Sequence, residues 1–270
     1  MNSRSVVLGF AAAFAAFSFS VGLRAEVPLR IKVLAWNIRH SEGLDGKTDL
    51  DRVAKAIAGA KPDLVALQEV DVGVARTGKI DQAALLAKAT NMQVVFGKAI
   101  DHDGGEFGNA VLSRWPIAWS KIRPIPRVGR EEQRSLLIAD IDLPGRAGNL
   151  TFLTTQFDHG RRHASRIGAA DFVAEFSTLL ADDPALFCVD LQSELDSEPG
   201  SRLERLWTVA NAEYAPTTPA NEPAKQWHFV MVRPAERFRV VEVKVLEEAS
   251  ASHHRPVLAT LELLPSQAAP

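Results

Sequence analysis

Asn37, Glu69, Asp190 and His254 each stand at the edge of a stretch that reads as a β-strand. Asn37 ends the first predicted strand, Glu69 follows the second, Asp190 ends a later one, and His254 precedes the last. In layered α/β proteins, loops at strand ends are where a rigid scaffold brings polar side chains together. Taken singly, an Asn or Glu in such a place is most often a cap or a solvated turn residue. Three late histidines add a second chemistry. His228, His253 and His254, with Asp190 or Glu69, could surround a softer metal such as zinc, which imidazole suits. Sequence neighbours such as His253 and His254 need not face one site. Asp101-His102-Asp103 has the residue types of a metal cluster, but Gly104-Gly105 follow it and a turn is expected.

The elements that would position these groups follow from periodicity. A strand is predicted over Arg30 to Trp36, then a polar loop holding Asp45, then a helix from about Asp49 to Ala58. Asp49 can cap that helix, and Leu50, Val53, Ala54 and Ile57 recur at helical spacing. Lys61-Pro62-Asp63 stops it, and Leu64 to Leu67 is the next strand. A helix over about Asp81 to Thr90 and a strand over Met92 to Phe96 come next. From residue 107 the texture turns to consecutive strands: Phe107 to Ser113, Trp115 to Ile122, Ser135 to Ile141 and Leu150 to Phe157. A helix from about His163 to Leu180 begins at the basic run Arg161-Arg162-His163, read as a solvated helix start. A strand around Cys188, a short helix near Arg202 to Thr208, and strands near Phe229 to Val232, Phe238 to Leu246 and Pro256 to Leu263 complete the chain. Strand-rich halves with helices on one side of each predict two packed sheets flanked by helices. Trp36 and Trp115 are expected in packing roles.

The chain has 270 residues, 46% hydrophobic and 24% charged, which suits one large globular domain. Cys188 is the single cysteine, which excludes an intramolecular disulfide and a cysteine-rich metal site. It lies in Ala185-Leu186-Phe187-Cys188-Val189 and is expected as a small core residue. Residues 1 to 25 read separately: Arg4 precedes an uncharged run from Val6 to Val21, with small residues near Gly22 and Ala25. That run is shorter than the roughly 20 residues of a membrane-spanning helix and predicts a secretory signal peptide. An uncleaved anchor is the alternative. Residues 26 to 270 would form the exported domain, periplasmic or extracellular, with no stable membrane span after signal removal. Losing Arg4 and Arg24 moves the formal charge from −2 to −4. A slightly acidic domain carries no overall electrostatic footprint for nucleic acid.

Five segments taken in order carry a resemblance. They are Ala35-Trp36-Asn37-Ile38-Arg39, Leu67-Gln68-Glu69-Val70, Gly108 to Arg114, Thr154-Thr155-Gln156-Phe157-Asp158 with Val189-Asp190-Leu191-Gln192, and Ser252-His253-His254-Arg255-Pro256. Over roughly residues 29 to 264 the chain resembles the endonuclease/exonuclease/phosphatase superfamily, most closely in texture its exported bacterial members. The resemblance implies a four-layer αββα sandwich of two packed mixed β-sheets flanked by helices. It also implies phosphoester hydrolysis with magnesium, or manganese, on a phosphate-containing small molecule or phosphodiester. By position, Asn37 and Glu69 would hold the metal, Asn109 would orient substrate or water, and Asp190 would align or deprotonate the attacking water. His254 would contact the phosphate as charge builds. Arg39, Asn109 and His159 are the substrate-binding candidates.

Four positions depart from the family pattern. Gln156 stands for the histidine of Thr-His-Leu, and Gln192 for the asparagine that follows the aspartate. His228 and His253 replace two aspartates. An amide never carries the charge of a protonated imidazole, so Gln156 grips a phosphate less strongly. Gln192 moves its head group by about a bond length, and rates fall on the order of 10²-fold for a 1 Å misplacement. Without the aspartate at 253, His254 loses the partner expected to fix its tautomer. Phe107 lacks the hydroxyl that some relatives carry. Two readings follow: a divergent phosphoesterase in which His159 reaches the phosphate in place of Gln156, or a binding protein that keeps phosphate affinity without turnover.

Overall fold

Ile31, Val33 and Ala35 pack to one side of their strand, Leu34 and Trp36 to the other, and all five are buried. A strand buried on both faces belongs inside a sheet covered on both sides. The computed structural model places it there. It describes residues 27–145, 147–160, 163–180 and 182–266; the expected signal segment 1–25 and the pair Arg161-Arg162 lie outside the described residues.

Strands β1 (Leu29–Asn37), β2 (Leu64–Val72), β3 (Gln93–His102) and β4 (Gly105–Ser113) come first, followed by β5 (Ile117–Pro124), β6 (Ser135–Asp142) and β7 (Asn149–Gln156). The rest are β8 (Ala185–Asp190), β9 (Thr208–Val209), β10 (His228–Arg233), β11 (Phe238–Val245) and β12 (Val257–Leu263). They build two six-stranded sheets, ordered β11-β12-β1-β2-β4-β3 and β5-β6-β7-β8-β10-β9. Each sheet is mixed and has one central parallel pair, β1 with β2 and β7 with β8.

Three apolar layers hold the molecule together. Between the sheets, Ile31, Val33, Leu64 and Val111 meet Leu137, Phe152, Leu186 and Cys188. On the outer face of the first sheet, Leu34, Trp36 and Val65 pack on Val53 and Ile57 of α1 (Leu50–Ala60) and Leu86 of α2 (Gln82–Thr90). On the outer face of the second, Phe187 and Phe229 pack on Ala169 and Val173 of α3 (His163–Ser177) and Leu203 of α4 (Glu198–Leu203). The result is the expected αββα sandwich. Cys188 is wholly buried in the central layer, and burial pushes its thiol pKa up.

Asp49 caps α1 as expected, its Oδ1 accepting from the Asp51 and Arg52 amides at 3.1 and 3.2 Å. Other boundaries differ from the sequence reading. β2 does not stop at Leu67 but runs to Val72 across a bulge between Leu67 and Val70. The short helix lies at 198–203 rather than near 202–208, where Thr208–Val209 is instead a short strand. Asp103 and Gly104 both have positive φ, and they turn β3 into β4, so 101–103 is a hairpin end.

Candidate functional site

The two central parallel pairs end side by side. Asn37 is the last residue of β1 and stands opposite Gln68, next to Glu69; Gln156 ends β7 opposite Asp190, which ends β8. Glu69 is turned toward this point by the β2 bulge, at φ +57°, and Gln192 just beyond β8 has φ +52°. Left-handed backbone at non-glycine residues costs on the order of 1–3 kcal/mol and gathers at functional sites.

What meets there is a reciprocal exchange between sheets. The Asn37 amide nitrogen, from the first sheet, donates to Asp190 Oδ2 of the second at 2.8 Å. The Gln156 amide nitrogen, from the second, donates to Glu69 Oε1 of the first at 2.7 Å. Asn37 also donates to Glu69 Oε1 at 2.8 Å, and Gln156 lies 3.4 Å from Asp190 Oδ2. Gln192 folds back to donate to Asp190 Oδ2 at 2.8 Å. Two carboxylates are thus tied by three primary amides, and hydrogen bonds to charged groups are the stronger kind.

The orientation of both amides is fixed at their oxygen ends. Asn37 Oδ1 accepts from the Arg39 backbone amide at 2.9 Å. Gln156 Oε1 accepts from Arg134 Nη1 at 2.8 Å. The same buried Arg134 meets His159 Nδ1 at 3.0 Å and Glu132 at 3.0 Å. Sequence reasoning missed Arg134. Its signal was available: consecutive antiparallel strands put the start of β6 beside the end of β7.

The histidines separate. His228 opens β10 directly across from Asp190, with Nε2 3.7 Å from Asp190 Oδ2 and Nδ1 2.8 Å from Thr217 Oγ1. Thr217 is a second residue the sequence did not flag. The His254 ring meets the His228 ring edge-on, centroids 4.9 Å apart. Its loop is pinned to β1: Trp36 Nε1 donates to the His254 carbonyl at 2.7 Å, and Ser252 Oγ donates to the Asn37 carbonyl at 2.7 Å. His253 points elsewhere, against the Arg39 guanidinium, so it does not join the group of histidines expected around a metal. Backbones of adjacent residues outside a helix send their side chains apart, and here only His254 faces Asp190.

Arg39 is engaged by His253 and by Glu42 at 3.0 Å. Asn109 is buried and donates to the Ser135 carbonyl at 3.1 Å, one strand away from the amide–carboxylate cluster. His159 is exposed and, among the described residues, linked to the cluster through Arg134. Asp71 is buried in a two-point ion pair with Arg76, and Asp45 pairs with Arg52 at the surface, so neither enters the site.

Burial sets the electrostatics. It drives the His228 pKa down to about 4, so the ring is neutral near pH 7. Burial alone would raise the pKa of Asp190; His228 and His254, with the Asn37 and Gln192 amides, outweigh it and keep the carboxyl below its ordinary value. The two statements agree, because in the acid range where Asp190 would take a proton His228 already carries one. One ring nitrogen each from His228 and His254 and an Asp190 oxygen lie within 4.8 Å of one another, a buried group able to hold a metal ion. Three surface cavities of about 470, 510 and 530 Å³ are lined by other residues.

The Endonuclease/Exonuclease/phosphatase family model matches residues 34–257. No curated protein sequence matches. Among solved structures, an endonuclease/exonuclease/phosphatase from Beutenbergia cavernae is 23% identical with TM-score 0.73, covering 89% of this chain and 73% of its own. A mannosyl-6-phosphatase from Bacteroides thetaiotaomicron is 17% identical with TM-score 0.71, covering 86% of this chain and 99% of its own. The human nocturnin catalytic domain, in a structure with a bound sulfate anion, is 15% identical with TM-score 0.72, covering 88% of this chain and 96% of its own. Identities this low speak for the shared fold.

Proposed function

Because the chain belongs to the endonuclease/exonuclease/phosphatase family, we propose that it is an exported phosphoester-binding protein of phosphoesterase ancestry whose own turnover is strongly impaired. One observation carries this: the Gln156 side chain is spent inside the protein. Its nitrogen serves Glu69 and Asp190 and its oxygen serves Arg134, so nothing is left at that position to donate to a phosphate.

The donor set still fits a hard divalent cation, magnesium or manganese. Such ions bind through one or two carboxylates and complete their shell with water and ligand phosphate. Glu69 is only partly buried and would hold the ion with Asn37, whose nitrogen positions Glu69 and whose oxygen keeps a second lone pair beyond the one facing the Arg39 amide. Bound there, the ion would offset charge on the phosphate and the departing oxygen. Asp190 stays ionised at neutral pH and faces the same point, which is what a water-aligning group requires. His254 is the remaining imidazole, and its buried Nδ1 has no hydrogen-bond partner among the described residues to set its tautomer.

The test compares phosphodiester and phosphomonoester turnover by the purified protein with magnesium, manganese or chelator. The comparison is the fourfold variant Gln156→His, Gln192→Asn, His228→Asp, His253→Asp. Loss of one transition-state donor alone is worth about 10²–10³-fold. The variant is expected to exceed the natural chain by at least that factor, while both bind inorganic phosphate in the presence of magnesium. A natural chain that turns over as fast as the variant, and loses that activity in Glu69→Ala, is instead a working phosphoesterase.

A further inference from the structure

We propose that Asp190, His228 and His254 form a binding site for a softer divalent cation such as zinc, distinct from the hard-cation position at Glu69. The site lies in the same cleft as the phosphoester reading, but its test uses no phosphoester, so either can fail without the other.

The argument begins from unpaired nitrogens. His228 is wholly buried and His254 more than nine-tenths buried. Nε2 of His228 and Nδ1 of His254 have no hydrogen-bond partner among the described residues. A buried polar atom left in that state is costly, because it has given up water for nothing. Here two such rings stand edge to face beside a buried carboxylate, and all three residues offer a ligand atom within 4.8 Å of the others. A cation would satisfy both ring nitrogens and be held by the charge of the carboxylate beside them.

One donor–donor distance is already close to what zinc asks for. Ligand bonds of about 2.0–2.2 Å in a tetrahedron place neighbouring donor atoms roughly 3.3 Å apart. His228 Nε2 and Asp190 Oδ2 are already 3.7 Å apart. The supporting contacts are in place as well. Thr217 Oγ1 takes the far nitrogen of His228 at 2.8 Å, which leaves Nε2 to face the ion. Gln192 and Asn37 hold the Asp190 carboxylate, each at 2.8 Å. Such outer partners orient first ligands and raise affinity. Two imidazoles and one carboxylate favour zinc over magnesium, which prefers oxygen alone. Three protein ligands leave a fourth position for water or a phosphate oxygen. An ion held here occupies Asp190, so the carboxylate that would align a water becomes a metal ligand.

The experiment is a titration of chelator-stripped protein with cobalt(II), read by the visible absorption of a tetrahedral centre, then displacement by zinc. One equivalent is expected, displaced by zinc and not by a large excess of magnesium. His228→Asn and His254→Asn should each weaken binding about 100-fold or more, and Thr217→Val about 10-fold. Glu69→Ala, which reaches Asp190 only through the Asn37 and Gln156 amides they share, should weaken binding by less than about 10-fold, far less than either histidine variant. Thermal melting of each stripped variant separates loss of ligand from loss of fold; His254→Asn and Thr217→Val read the same site should His228→Asn fail to fold. Cobalt affinity that survives the histidine variants, displacement by magnesium, or abolition by Glu69→Ala overturns the assignment.

Discussion

Replacing Gln156 with methionine keeps the length of the side chain and removes both ends of its hydrogen bonding. Two short contacts to charged partners are lost, to Glu69 at 2.7 Å and from Arg134 at 2.8 Å, together with a longer, weaker one to Asp190 at 3.4 Å that adds little to the sum. At about 1.5–3 kcal/mol each, the gross loss is about 3–6 kcal/mol. Glu69 is only partly buried and regains water, and Arg134 keeps Glu132 and His159, so roughly half is recovered. The expected net cost is about 1.5–3 kcal/mol, or about 3–12 °C in melting temperature for a domain of this size. Urea denaturation in chelator should show a lower midpoint with the slope unchanged. In a double-mutant cycle with Glu69→Gln, a coupling of about 1–2 kcal/mol is expected. A Gln156→Met protein within about 0.5 kcal/mol of the natural chain would refute the view that this amide ties the two carboxylates together.

Three further outcomes follow from other parts of the fold. His228 has a folded pKa of about 4 against 6.5 unfolded, so the unfolded chain binds more protons between those values; stability is full above about pH 6.5 and falls toward pH 4. The loss is on the order of 3 kcal/mol in chelated protein, and His228→Asn should flatten that part of the urea-midpoint profile. At Gly108 an added Cβ would stand 2.1 Å from the Gly97 carbonyl, so Gly108→Ala should cost at least about 1–3 kcal/mol in the same assay. Cys188 should resist a thiol reagent in the native protein and react only at the rate of unfolding, since burial raises its pKa and closes access.

The sequence made the strand ends legible because buried strands leave unbroken apolar runs, and the polar residue that ends a run is easy to see. Asn37 and Asp190 were found that way. Glu69 was seen for the wrong local reason: it lies in a bulge within β2, and a bulge leaves no mark in hydrophobic periodicity. Thr217 left no signal, because its role comes from a loop meeting a distant strand, and Arg134 left only the weak one of adjacent antiparallel strands. Thr217 meets His228 through a loop, and Arg134 reaches Gln156 across a strand pair. The fate of the two adjacent histidines was equally hidden, since only the backbone path decides that His254 faces Asp190 and His253 faces Arg39. Nor does sequence show which end of an amide faces a carboxylate. That depended on where the Arg39 amide and the Arg134 guanidinium came to rest.

The strand order of the first sheet has a consequence for how the molecule comes into being. β1 is flanked by β2 and by β12, so its second neighbour is the last strand of the chain, paired over Leu29↔Leu263 to Ala35↔Val257. Until residues 257–263 have left the ribosome, β1 is an open edge with apolar residues on both faces. The segment from β5 to β10 can assemble its own sheet meanwhile, because all six of those strands are contiguous in sequence. A nascent chain of this protein therefore carries one half ready to form and one half that waits for its final residues. A holdase that covers apolar edges should bind truncated chains, released from the ribosome, that end before 257, and let go of those that extend past 263.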